Sequence, residues 1–172
     1  MSHLAQLWWS QFHGPAQFLD RFCREAALGG CFFLRHTQEI PWYFQFQELV
    51  LESLQREVGH FRQEEPEDLP EDGSPQWFVE RFLPQQTSNF LSTTKLSAFL
   101  AQTGGLRGRV VWLRTCDPDQ LALWLEQLSQ LAVTPAARET IFILEGRSPI
   151  PTRRKVKLFD ADGAFSPFDA VQ

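Results

Sequence analysis

The sequence predicts an α/β domain, a three-layer sandwich with a mainly parallel sheet of three to four strands flanked by helices. Three observations predict it. The runs "CFFL", "VVWL" and "IFIL" are apolar without polar alternation, as expected of strands buried on both faces of a parallel sheet. The longer stretches between them repeat apolar residues at i, i+3, i+4 spacing, the mark of helices with one packed face. Strand-like and helix-like segments also alternate along the chain, which builds βαβ units. With 172 residues, a single domain over 1–172 is expected, and 43% hydrophobic residues suffice for its core.

The elements follow in order. "SHLAQLWWSQF" has Ser2 as an N-cap and a helical stripe of Leu4, Leu7, Trp8 and Phe12. Gly14-Pro15 breaks it, and Pro15 opens a second helix, "AQFLDRFCREAAL", with Phe18, Leu19, Phe22, Cys23 and Ala26 on one face. These N-terminal helices occupy 1–28. After Gly29-Gly30, "CFFLRH" reads as the first strand, and "PWYFQFQELVLESLQREVG" is the longest helix signal, from Pro41 to Gly59. Segment 62–75 places six acidic residues between Glu64 and Asp72 among prolines and reads as a solvated acidic loop.

"PQWFVERFLP" is a short helix closed by Pro84, and "TTKLSAFLAQTGG" a second, capped by Thr93 or Thr94 and ended by Gly104-Gly105. "GRVVWLRTC" is the second strand. "DPDQLALWLEQLSQLA" has Asp117 as N-cap, Pro118 at the first helical position and an apolar face of Leu121, Trp124, Leu125 and Leu128. "ETIFILEG" is the third strand, and "RRKVKLF", of mixed polarity, a fourth at an edge. Residues 160–172 read as an irregular tail that either continues into something else or packs Phe165 and Phe168 on the domain.

Composition excludes several classes. A net charge of −5 argues against a general nucleic-acid binder, which needs a broad basic surface. Cys23, Cys31 and Cys116 form neither a disulfide framework nor a zinc motif, and the first two fit as small core residues. His3, His13, His36 and His60 show no metal-ligand spacing, and no nucleophile signature is present, so neither metal nor cofactor is expected. The N-terminus lacks the pattern of a signal peptide and no apolar run approaches a membrane span, so a cytoplasmic protein is expected, with no membrane partner.

The succession of two helices, a strand, a turn and a helix, then "RGRVVWLRTCDPDQLALWLEQLS", then "TIFILEG", resembles the nucleotide-binding core of AAA-type P-loop ATPases over roughly Gly14 to Gly146. The resemblance implies a P-loop NTPase-like fold in which the first strand leads to a phosphate loop. A later strand then ends in acids that handle magnesium, and the next carries a polar sensor. The motifs are missing. After "CFFL" comes "RHTQEIPW", without the glycines and lysine that wrap phosphates. "VVWL" is followed by Arg114, which repels a magnesium ion, and "IFIL" by the lone carboxyl of Glu145. The resemblance is to a degenerate copy.

Three groups of candidate site residues remain. Arg35, His36 and Thr37 stand at the first strand's end, where an anion could sit on the next helix's amino terminus, although Glu39 opposes it and a plain strand-to-helix turn is the other reading. Strand alternation places Arg153, Lys155 and Lys157 on one face, with Arg147 nearby, a patch for nucleic acid or an acidic partner; protection of a sheet edge by cations explains the same residues. Six Trp are many for a small domain, and Trp8, Trp9, Trp42 and Trp77 are the candidates for partner contact. The expectation is a non-catalytic adaptor or assembly subunit of a bacterial multiprotein system, of the kind found in phage defence or mobile elements. Its partners are proteins, a catalytic ATPase of the same system among them. The alternative is a nucleotide- or nucleic-acid-binding protein.

Overall fold

The computed structural model describes residues 13–36, 43–57, 59, 61–91, 94–147 and 155–161. The strands are β1 (Gly30–His36), β2 (Arg62–Gln63), β3 (Glu67–Asp68), β4 (Arg109–Thr115), β5 (Ile141–Arg147) and β6 (Lys157–Asp160). The helices are α1 (His13–Ala26), α2 (Tyr43–Glu57), α3 (Pro75–Phe82), α4 (Leu96–Thr103) and α5 (Pro118–Ala132), with 3-10 turns at Pro84–Asn89 and Pro135–Glu139.

All strand pairs are parallel, in the order β2–β4–β5–β1–β6, and β3 lies beside β4 as well. Six strands therefore fill five positions, more than the three to four expected. The difference lies in segment 62–75. Arg62 pairs with Arg109 and Gln63 with Val110, then Glu67 with Leu113 and Asp68 with Arg114. One extra residue is accommodated between the two pairings, a bulge that contains Pro66, whose missing N–H is tolerated there. The segment is a loop only in part: Arg62–Gln63 and Glu67–Asp68 are strand, while Glu65, Asp68, Glu71 and Asp72 are exposed. Arg109 donates from Nε and Nη2 to Glu64 Oε1 at 3.1 and 2.7 Å, Arg81 pairs with Glu67 at 3.0 Å, and Arg114 with Asp68 at 2.9 Å. Short-range charge and proline content obscured a strand whose hydrogen bonds all run to a distant partner.

Right-handed crossovers decide which face each helix covers. From β1 the chain crosses to the β2 edge, then returns through β4 and β5 towards β1. The outward crossing puts α2 on one face, beside α1; the return puts α3, α4 and α5 on the other. The two cores obey this division. Phe18, Phe22, Cys23 and Ala26 of α1 and Leu49, Val50 and Leu54 of α2 pack on Phe32, Leu34, Val110, Trp112, Ile141, Ile143 and Phe159. Phe78, Phe82, Phe99, Leu121, Trp124 and Leu128 pack on Cys31, Phe33, Val111, Leu113, Phe142 and Leu144. Aromatic contacts tie each core, among them Phe22–Phe159 at 4.9 Å edge-on and Phe78–Phe82 at 4.7 Å stacked. Such pairs contribute about 0.5–1.5 kcal/mol beyond area burial.

Local signals hold where they concern one turn. Asp117 caps α5, accepting from the N–H groups of Asp119 and Gln120, with Pro118 at the start. Gly104 ends α4 in the left-handed region, φ 60°. Pro84 follows the C-cap Leu83 and closes α3, as read, and also opens a 3-10 turn. Two readings shift. α4 is preceded by Lys95 without a side-chain cap. α1 begins at His13, so Pro15 lies within its first turn. β6 is an edge strand, as read, but begins only at Lys157; Lys155 sits in the preceding turn with φ 72°, so strand alternation does not reach it. The expected first helix with Trp8 and Trp9, the residues Thr37, Trp42, Thr93, Arg153 and Arg154, and the tail after Ala161 lie outside the described residues. Among the described residues no helix is long and apolar enough to cross a membrane.

Candidate functional site

In an open parallel sheet, ligands gather at the carboxyl ends of the strands where successive connections leave over opposite faces. Here β1 is followed by α2 on one face and β4 by α5 on the other. At these carboxyl ends opens a cleft of about 540 Å³, lined by His36, Asp68, Arg114, Cys116, Glu145 and Arg147 among others.

The centre of this end is Glu145, buried at 5% exposure. Trp112 Nε1 donates to its Oε1 at 3.0 Å, Gln47 Nε2 reaches the same oxygen at 3.5 Å, and His36 Nε2 lies 3.1 Å from Oε2. Gln47 in turn accepts from Arg114 Nη1 at 3.4 Å, and Arg114 Nε meets Asp68 Oδ1 at 2.9 Å. The pleat explains the gathering. Leu34 and Arg114 flank Glu145 in the parallel register, so His36, Trp112, Arg114 and Glu145 all project to the α2 side. A lone buried carboxyl would be prohibitive; hydrogen bonding to an indole, an amide and an imidazole makes it tenable.

On the opposite face the strand ends are packed shut. A Cβ on Gly146 would stand 2.7 Å from Leu121 Cδ1, so the absence of a side chain lets α5 lie directly over β5. Thr115 Oγ1 donates to Gln120 Oε1 at 3.0 Å, and Gln120 Nε2 donates to the carbonyls of Pro70 and Glu71, joining α5 to the turn after β3. The N–H groups of Asp119 and Gln120, at 2.8 and 3.4 Å from Asp117 Oδ1, are already occupied, which leaves the amino end of α5 no open donor for an anion.

The structure separates the residues grouped by sequence. Arg35 and His36 are consecutive on a strand and face opposite sides. Arg35 pairs with Asp160 of β6, its register partner, and His36 with Glu145. They do not converge on one anion. Lys157 is level with Phe32, whereas Arg147 is level with His36, four residues or roughly 13 Å further along the strands. Lys157 lies 3.6 Å from Glu25 and over the Phe32 ring at 5.6 Å. Arg147 and Lys157 are therefore set apart along the sheet. Trp77 is half-buried at the surface of α3, and Trp112 and Trp124 are fully buried.

Cys23 and Cys31 are core thiols, both pushed up to about 12 by burial, against a hydrogen bond from Ser53 in the case of Cys23. Cys116 is exposed at the cleft. No group of three or more His, Cys, Asp or Glu suited to a metal ion occurs among the described residues. Sequence reasoning noted Glu145 and Arg114 but missed the partnership of Glu145 with His36 and Trp112. The available signal was a polar residue after an apolar run, His36 in β1 and Glu145 in β5; Trp112, in the middle of β4, gave none. The register that aligns them comes only from the fold. No family model, no curated protein and no solved structure matches the chain.

Proposed function

We propose that the chain is a non-catalytic assembly subunit that works through protein–protein contacts, built on a degenerate P-loop NTPase-like domain. The observation that carries this reading is the state of Glu145. A nucleotide-hydrolysing sheet end needs a carboxylate open to magnesium and water. Here the carboxyl is buried beneath α2 and engaged by Trp112, Gln47 and His36. Arg114, one strand over, is held by Asp68 and Gln47. Each of these side chains is engaged by another of the group or by Asp68. The elements behind the ATPase resemblance also adjoin in space: β5, with "IFIL", lies between β1, with "CFFL", and β4, with "VVWL".

The alternative, nucleotide or nucleic-acid binding, has less to draw on. Arg35, Arg114 and Lys157 each have an acidic partner. One experiment separates the readings: thermal unfolding with ATP, ADP and GTP, with and without magnesium, together with Trp fluorescence. Trp112 touches Glu145 and reports on the cleft. Nucleotide at a hundredfold excess over its dissociation constant would stabilise the fold by about 2.7 kcal/mol. The expected result is no shift at millimolar nucleotide. A magnesium-dependent shift would overturn the proposal.

A further inference from the structure

Away from the strand ends, a second cleft of about 410 Å³ opens where α3, α5 and the turn before α3 meet. Its apolar part is Trp77 of α3 and Leu123 of α5. The Trp77 ring is half-buried, edge-on to Phe82 with centroids 6.2 Å apart, and Leu123 is 40% exposed. Glu71 and Asp72 of the turn and Glu80, three residues along α3 from Trp77, line the same cleft, and no lysine or arginine among the described residues does.

These carboxyls differ from their neighbours in sequence. Glu64, Glu67 and Asp68 are each paired with an arginine, whereas Glu71, Asp72 and Glu80 have no cationic partner among the described residues. The cleft is also held in shape. Trp124 Nε1 donates to the Gly73 carbonyl at 2.8 Å, Gln120 Nε2 to the Glu71 carbonyl at 3.1 Å, and Gln76 Nε2 to Glu80 Oε1 at 3.0 Å.

We propose that this cleft docks a basic segment of a partner protein, with an arginine laid on the Trp77 ring and an apolar neighbour against Leu123. An aromatic face attracts a guanidinium, which stacks on it while donating to surrounding carboxyls. The apolar wall beside the acidic rim selects a segment carrying both characters, and charge complementarity fixes its sign. The inference rests on the reading of the chain as an interaction subunit and names the chemistry of its partner.

The test uses the full chain and a fluorescent synthetic peptide of alternating arginine and leucine, followed by anisotropy, beside the same peptide with glutamate for arginine. Binding of the arginine peptide alone is expected. The variant Glu71→Gln/Asp72→Asn/Glu80→Gln should weaken it about tenfold, and Trp77→Leu about fivefold. A control on the opposite face, Asp20→Asn/Glu48→Gln/Glu57→Gln, should leave it within about twofold. Thermal unfolding of each variant shows that it is folded, and the charge variants alone suffice if Trp77→Leu is not. The proposal is overturned if the control weakens binding as much as the cleft variant, if the cleft variant binds like the parent, or if the cleft proves to be covered by a second copy of the chain. Failure of the peptide with no nucleotide shift removes this cleft and leaves the interaction reading; a magnesium-nucleotide shift removes that reading instead.

Discussion

The two ends of the sheet are closed by different chemistry. At the amino ends the closure is largely main chain, with the Thr140 hydroxyl donating to the Leu106 carbonyl at 3.0 Å. Gly30 N–H donates to the Thr140 carbonyl at 2.8 Å, Gly108 N–H to the Glu139 carbonyl at 2.8 Å, and Gly29, at φ 76°, sits where a Cβ would stand 2.3 Å from the Arg138 carbonyl oxygen. At the carboxyl ends the closure is side chain, through Glu145, His36, Trp112, Gln47 and Arg114. A main-chain closure admits almost no substitution at its glycine, because backbone cannot step aside. A side-chain closure is as strong only while every partner is present.

The largest expected effect is at the amino end. Gly29→Val should destabilise by at least about 4 kcal/mol, because a β-branched residue is strained at this φ and its Cβ meets a fixed carbonyl. Urea unfolding measures it. At the other end, Glu145→Ala should cost about 3 kcal/mol by leaving the Trp112 N–H buried without its acceptor and removing a contact of His36, while Glu145→Gln, which keeps an acceptor, should cost less than half of that. If Glu145→Ala proves harsher than Gly29→Val, the contrast between the ends is wrong. Asp117→Ala, which removes only the cap of α5, should cost about 1 kcal/mol by the same measurement.

The smallest effect lies on the two faces between the ends. Cys23 and Cys31 are raised from an ordinary 9.0 to about 12 by burial, so their contribution is fully present below pH 9 and is lost as pH rises towards the folded value. Each thiol should remove under about 1 kcal/mol at pH 9.5. A Cys23→Ala/Cys31→Ala variant should therefore show a flatter alkaline fall in stability; an unchanged slope would place the titration elsewhere.

What could be read from sequence divides along the same line. The cap and proline of α5, the glycine that ends α4 and the apolar strands of both cores are set by residues close in sequence, and they were legible. The strand pairing of segment 62–68 was not, because its hydrogen bonds and its arginine partners lie far along the chain. Glu145 could be seen as a polar residue after an apolar strand. That it meets His36 and Trp112 depends on β5 lying between β1 and β4, an ordering that no local pattern encodes.

The interlocking of Glu145 also bears on how this sequence can change over generations. Replacing the glutamate alone removes the acceptor of an indole N–H and a contact of His36; replacing either of those alone removes support from a buried carboxyl. An apolar trio of matching shape would be tolerated, yet each single step towards it passes through a less stable chain. Homologues should therefore keep His36, Trp112 and Glu145 together or exchange them together. Placing an open acid at this sheet end would mean dismantling part of the α2-side core first.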